Sequence, residues 1–322
     1  MRRLAAAFVL LWLVVTLTFV LVRLAPGDAA ALLVPPTATL EDAARLRAEL
    51  ALDAPIAVQY VKWIGGLLRG DLGESFTQRR PVTRVLREAL PVSLGLGLSS
   101  LVLTFVVGVA IGTLQAMRRG TVVDPALTFA TTAIYAAPSY WLALSLIAVF
   151  TYGATVWGLP PALRLPAFGI RDPDGVETGW AALVDLTRHA VLPVTVLAAV
   201  GAAGIARYAR STVADLTGAD WVRTARAKGL PSRVVYGRHV LANALPPLVV
   251  LLALSLPGVV AGSVFVESVF AWPGMGRAMV MAISARDYPV VMGATVLYAA
   301  LVILANLAAD LVLPLIDPRR GA

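Results

Sequence analysis

Few side chains in this sequence are spaced to do chemistry by themselves. There is no cysteine, which removes thiolate metal sites, disulfides and thiol nucleophiles. The two histidines, His189 and His239, are isolated and each flanks an apolar run, a poor metal set. No G-x-x-x-x-G-K-[ST] loop occurs, so the chain has no P-loop cradle for nucleotide phosphates. No Ser/Lys or paired-Asp arrangement falls at matched depth in the apolar runs, which argues against an intramembrane enzyme. Two acidic positions remain. Asp310 lies one turn from Asn306 near the end of the last apolar run. An ionisable residue there is a functional candidate by default, or a structural one satisfied by snorkelling or an arginine partner. Glu267 ends another apolar run and precedes V-F-A-W-P-G-M-G-R. Glu267, Trp272, Pro273, Gly274 and Gly276 read either as a loop facing a partner or as a re-entrant turn with no substrate contact.

The most distinctive chemistry is basic. Ala219 to Pro231 reads A-D-W-V-R-T-A-R-A-K-G-L-P, a polar segment between two strongly apolar ones. Its period predicts a short helix. Val222, Ala225 and Gly229 fall on one face at i, i+3 and i+7, with Trp221 beside them. Arg223 and Arg226 fall on another side. Gly229 followed by Pro231 is a stop signal. Small residues on one face of an amphipathic helix suit docking into a groove of another protein. The plainer reading is a positive cytoplasmic loop of the ordinary kind.

The elements that must position these residues are membrane helices. The chain has 322 residues, of which 59% are hydrophobic and 14% charged. Soluble domains carry about 25% charged residues, and here the apolar excess is gathered into runs of spanning length. The net charge of +8 does not indicate nucleic acid, because the basic residues sit at the ends of apolar runs with no aromatic–basic platform. The first run, Leu4–Val22, follows Met1-Arg2-Arg3 and reads as an uncleaved helix, a cleaved leader being the alternative. Five further spans are expected near Val92–Ala116, Ala126–Tyr152, Val191–Tyr208, Val240–Val266 and Val290–Leu313. With the N-terminus inside, the inner segments hold Arg2, Arg3, Arg118, Arg119, Arg207, Arg210, Arg223, Arg226, Lys228, Arg233, Arg238, Arg319 and Arg320 against Asp124, Asp215, Asp220 and Asp317. This asymmetry supports inner termini.

Between the first two spans, Arg23 to Leu90 is mixed in charge. Thr39 with Glu41 and Asp42 resembles a helix start. Leu46, Leu50, Tyr60, Trp63 and Leu67 have helical spacing for a small packed subdomain, and Gly70-Asp71-Leu72-Gly73 reads as a turn. This subdomain either packs on itself or meets a substrate-delivering protein. G-x-x-x-G pairs at Gly108/Gly112 and Gly258/Gly262, with Gly201 and Gly204, mark candidate close helix crossings. Pro138 and Pro257 interrupt the third and fifth spans and are expected to kink them.

D-W-V-R-T-A-R-A-K-G-L followed by R-H-V-L-A-N-A-L-P resembles the cytoplasmic loop of ABC-importer permeases of the dipeptide/oligopeptide, binding-protein-dependent branch, B-type. L-A-P-G-D, then Q-Y-x-x-W-x-x-x-L-x-x-G-D-L-G-x-S, and A-R-D-Y-P-V-V before the last span are similar to the same family. The likeness runs from Leu24 to Arg319. Leu245-Pro246 comes later than the Leu-Pro element of the broader importer loop, as in the peptide branch, and Ala219 precedes Asp220 where that loop opens on an acid.

The resemblance implies an all-α type I importer permease of six transmembrane helices, with a small extracytoplasmic subdomain between helices 1 and 2. Its parts would be a first helix over 1–24, the subdomain over 25–91, a five-helix core over 92–316 and a tail over 317–322. The cytoplasmic loop 209–239 would carry the coupling helix, with Asp220, Trp221, Val222, Arg223, Thr224, Ala225, Arg226, Ala227, Lys228 and Gly229 meeting the ATPase. Glu267, Trp272, Pro273, Gly274 and Gly276 would form an outer gate or face the binding protein. The implied partners are a second permease chain, two ABC ATPases that hold ATP and magnesium, an extracytoplasmic solute-binding protein and lipid. The implied location is a bacterial inner membrane, and the implied cargo is peptide. Nickel chelates, glutathione or another small solute remain alternatives. An ion-coupled carrier is the competing class, but neither a repeat nor a mid-span carboxylate supports it.

Overall fold

The computed structural model describes residues 2–24, 54–175, 178–261 and 264–316. Every extended element described is helical, apart from one isolated bridge between Glu74 and Pro81. The helices are α1 (Arg2–Leu24), α2 (Ile56–Leu68), α3 (Val82–Met117), α4 (Val123–Ala136), α5 (Ser139–Ile147), α6 (Gly179–Thr217), α7 (Asp220–Ala227), α8 (Ala242–Ala261), α9 (Val264–Val269), α10 (Met275–Ser284) and α11 (Tyr288–Ile316). Six segments are long and apolar enough to cross a membrane: Ala5–Leu24, Val82–Met117, Ser139–Val156, Gly179–Thr217, Ser232–Val259 and Tyr288–Ala309. The six expected spans are all present, with shifted ends. The shifts have local causes.

The third apolar run does not form one helix. α4 stops at Ala136, Ala137 is extended at φ −73° and ψ 133°, and α5 begins after Pro138. Proline lacks an N–H and drives the preceding residue out of the helical region, so the chain breaks there. α5 then continues through a π turn at Ala148–Gly153 to Val156. Pro257 behaves differently and lies inside α8 without ending it. The fourth span, expected to be the shortest, is the longest helix at 39 residues. Its polar ends are satisfied locally, which removes the cost of unpaired charge near lipid. Arg188 donates to the carbonyls of Pro161 (3.1 Å) and Arg164 (2.8 Å), and His189 lies 3.2 Å from Asp185.

The chain divides into two compact units. The first comprises Met1–Ser93 and Pro273–Leu304. Here Phe19 of α1, 1% exposed, is stacked on Trp63 at 5.5 Å and meets Tyr60 edge-on at 5.3 Å. The hydroxyls of Thr16 and Tyr60 are 2.6 Å apart. Tyr60 and Trp63 thus pack on the first span. Thr39, Leu46 and Leu50 lie outside the described residues. The turn over Gly70–Gly73 forms as expected, with both glycines left-handed (φ +78° and +80°) and the Gly73 N–H donating to Asp71 Oδ1 at 2.8 Å. It leads into α3, whose Val82, Leu86 and Ala89 are buried against Met275, Ala282, Val290 and Ala294. This burial starts α3 well before the expected Val92.

The second unit comprises Leu94–Trp272 and Ala305–Ala322. Its helices cross closely at small residues. A side chain on Gly108 would meet Ile205 Cβ at 2.7 Å, and one on Gly112 would meet Ala209 Cβ at 2.8 Å. Gly201 sits against Thr104 in the same way, at 2.9 Å. In lipid, association rests on such backbone approach and not on the hydrophobic effect. Gly258 and Gly204 have open space beside them, and Gly262 lies outside the described residues.

Candidate functional site

The basic segment folds as a helix of eight residues, α7. Ala219 enters it extended, with no side-chain cap. Asp220 is the first helical residue, where a negative charge favours the positive end of the helix dipole. Its ion pair with Arg223, at 3.5 Å, is fully solvated and contributes little. At the other end the Gly229 N–H donates to Arg226 O at 2.9 Å and the Leu230 N–H to Ala225 O at 3.4 Å. With Gly229 at φ +72°, this is a Schellman stop. The expected stop signal therefore works through backbone conformation. Gly229→Ala is expected to cost about 1 kcal/mol locally, because an L-residue resists the left-handed region. Faster amide exchange at Gly229-Leu230 would measure it, and unchanged exchange would contradict the assignment.

The face expected to dock is turned inward. Val222 is 0% exposed and Ala225 is 5% exposed. They pack with Ala209 and Val213 of α6, Ala116 of α3, Val235 and Val240 of the π turn before α8, and Ala244 and Leu248 of α8. Gly229 lies beyond the helix, not on this face. Small residues in α7 thus serve close packing within the chain itself. The exposed residues are Asp220, Trp221, Arg223, Thr224, Arg226, Ala227, Lys228 and Gly229, a net basic surface with one acid and one large aromatic. Fully burying a valine contributes about 1.5–3 kcal/mol, so Val222 fixes which way the basic face points.

One charge pair beside this cluster had no signal in local sequence. Arg210 of α6 donates from Nε to Asp124 Oδ1 at 2.8 Å and from Nη2 to Oδ2 at 2.7 Å. Asp124 is 6% exposed. The bonded guanidinium holds its carboxyl below the usual carboxylate range, so the pair stays ionised through physiological pH. Nearby, Gln115 Nε2 donates to Thr128 Oγ1 at 2.9 Å.

The outer-loop residues do not form an exposed surface. In the second unit, Glu267 is 0% and Trp272 3% exposed, and the Trp272 N–H donates to Glu267 O at 2.8 Å. Phe270 is buried with Ala143, Ile147, Leu192, Val196 and Val266. In the first unit, Gly274 and Gly276 are buried and Pro273 is exposed. Of the five residues expected at an outer gate or facing a binding protein, only Pro273 is exposed in this chain, a burial that fits the re-entrant-turn alternative. The side chain of Asp310 lies outside the described residues, and Asn306 is exposed. Among the described residues there is no group of three or more candidate metal ligands.

A second polar anchor appears where two quoted motifs meet. Asp287, from A-R-D-Y-P, is 0% exposed and accepts four hydrogen bonds. They come from Ser75 Oγ (2.5 Å), Thr77 Oγ1 (2.7 Å) and the N–H groups of Phe76 (3.0 Å) and Thr77 (3.1 Å). Ser75 is the serine of G-D-L-G-x-S.

Residues 108–321 match the family model described as binding-protein-dependent transport system inner membrane component, and residues 1–97 match its N-terminal companion. The chain is 35% identical to the oligopeptide transport system permease protein AppB of Bacillus subtilis, over 99% of this chain and 97% of that one. It is 34% identical to the dipeptide transport system permease protein DppB of Escherichia coli K12, over 94% and 92%. It is 36% identical to the di/tripeptide transport system permease protein DppB of Pseudomonas aeruginosa, over 99% and 97%. Among solved structures, the MetNI methionine ABC transporter in an inward-facing form aligns with a TM-score of 0.53 at 20% identity, covering 72% of this chain and 96% of that one. At that identity the likeness establishes the importer-permease fold and nothing finer.

Proposed function

The chain belongs to the binding-protein-dependent transport system inner membrane component family, and from that premise we propose that it is the permease subunit of an ATP-driven peptide importer. The observation that carries the mechanism is the two-sided α7. Its apolar side is built into the packing of α3, α6 and α8, and its basic side is free for a partner. A partner ATPase that moves α7 therefore moves the helices that grip it. The chain has no P-loop, so ATP and magnesium belong to that partner. ATP shifts the inward–outward equilibrium only by binding one state more tightly than the other.

The assembly is a pair of permease chains, two ATPases and an extracytoplasmic binding protein, in a bacterial inner membrane with both permease termini cytoplasmic. The names of the relatives support peptides as cargo. The excess of arginine in the short inner loops supports the orientation.

The test is co-purification of the tagged chain in mild detergent, with ATPase activity measured in the eluate. A second permease, a P-loop ATPase and stimulation by a peptide-loaded binding protein are the expected result. A well-inserted chain that captures no ATPase would overturn the reading. Within that assay, Arg223→Glu with Lys228→Glu is expected to lower ATPase capture at least about tenfold. Charge reversal at an interface costs affinity, while exposed positions tolerate it in folding. Unchanged capture would move the docking surface away from α7.

A further inference from the structure

We propose that Asp124 and Arg210 form the strut through which movement of α7 reaches α4, a positioning role that rests on the importer reading above. α4 is held in an unusual way. Its one fully buried residue is Asp124, while Phe129 is 77% and Tyr135 56% exposed. Leu127 and Ile134 are half-buried, so α4 lies along α6 with modest apolar packing, and polar devices add to it. The Arg210 fork grips Asp124 in the first turn with bonds of 2.8 and 2.7 Å. Arg207, one turn earlier on α6, places its guanidinium 5.5 Å from the centre of the Tyr135 ring in the last turn. Gln115 of α3 reaches Thr128 between them.

The driving side is equally defined. Ala209, next to Arg210, and Val213 pack in the cluster that buries Val222 and Ala225 of α7. The end of α6 and α7 thus share one apolar body. α3 crosses α6 so closely that a side chain on Gly112 would lie 2.8 Å from the Arg210 nitrogen, which prevents Arg210 from sliding past α3. A bidentate guanidinium–carboxylate pair fixes angle as well as distance. Its net stability is small, because desolvation offsets attraction, and setting register is its best-attested use. Beyond α4 the chain breaks at Pro138 and enters the membrane-spanning α5. α6 also packs directly on α5, where Leu192 and Val196 are buried with Ala143 and Ile147, so the ion pair is a link from α7 to α4 beside that direct route to α5. In the plain alternative, the pair only anchors the loop after α3 and α4 moves independently of α7.

The absence of cysteine makes the test direct. Spin labels are placed at Thr132→Cys on α4 and Asp215→Cys on α6, both exposed. Their separation is measured by pulsed electron resonance in the complex with its partner ATPase, before and after trapping with magnesium-ATP and vanadate. With Asp124 intact, one narrow distance distribution is expected in both states. Asp124→Asn is expected to leave vanadate-sensitive hydrolysis in place and to broaden the trapped-state distribution by about twofold, since a neutral amide cannot complete the fork. Asp124→Glu, which keeps a carboxylate, is expected to retain the narrow distribution. Should Asp124→Asn fail to assemble, Arg210→Lys, which keeps charge but loses the fork, is read by the same criterion. Labels that separate on trapping in the unmodified pair, or a broken pair indistinguishable from the intact one, would overturn the strut. A complex with no vanadate-sensitive hydrolysis would instead overturn the importer reading, and the strut with it.

Discussion

Val222→Asp is expected to release α7 from the chain while leaving the six spans inserted. Val222 is 0% exposed inside a cluster with no charged member. An unpaired carboxylate there either stays ionised at a cost of several kcal/mol or forces the helix outward. α7 has eight residues and isolated helices of that length are not stable in water, so an expelled α7 unfolds. Hydrogen exchange of the Asp220–Ala227 amides is expected to accelerate by at least about a hundredfold, the equivalent of roughly 3 kcal/mol. ATPase capture is expected to vanish. Arg223→Glu provides the contrast, since its side chain is 75% exposed and its exchange rates are expected to stay near the native ones while capture falls. The two variants separate holding the helix from presenting it. Native exchange in Val222→Asp would mean that the cluster does not hold α7.

Asp287→Ala is expected to be the most damaging single change in the first unit. Four donors converge on this carboxylate, and Ser75, at 1% exposed, has little access to water. Removing the acceptor leaves those groups unsatisfied, at about 3–5 kcal/mol for the buried polar set. The local backbone raises the stakes. Arg79 (φ +51°) lies in the loop that Asp287 holds, and Arg286 (φ +54°) is its neighbour. Left-handed non-glycine residues cost about 1–3 kcal/mol each and persist only where the surroundings impose them. Without the clamp both are expected to relax. Thermal unfolding in detergent, with protease cleavage mapped over Glu74–Pro81, measures the effect. Asp287→Asn is expected to recover part of it, because its amide oxygen still accepts. A melting curve within about 0.5 kcal/mol of native for Asp287→Ala would refute the clamp.

The sequence states what each stretch is more clearly than what it meets. Apolar run length revealed six spans, and Gly229-Leu230-Pro231 revealed where α7 ends, because both depend on neighbouring residues only. Amphipathicity separated Val222 and Ala225 from Arg223 and Arg226, but it is silent on whether the small face is covered by the same chain or another. The Gly/Pro-rich loop after Glu267 read either as facing a partner or as a re-entrant turn, because turn residues alone do not say what covers them. Phe270 and Trp272 within it were the signal for burial. The ion pair joins residues 86 apart, and the Asp287 clamp joins segments more than 200 apart. No window along the chain contains either pair. Family resemblance came nearest, since it singled out both G-D-L-G-x-S and A-R-D-Y-P without saying that they touch.

The two-sided α7 has a consequence for descent. Val222 and Ala225 answer to this chain's own interior, while Trp221, Arg223, Thr224 and Lys228 point away from it. On the proposed docking role, positions within one short helix answer to two separate constraints, internal packing and partner contact. After duplication, a copy can rewrite its outward positions and take up a different motor without relearning how to fold. Its inward positions hold the ancestral frame while the allegiance of the machine changes.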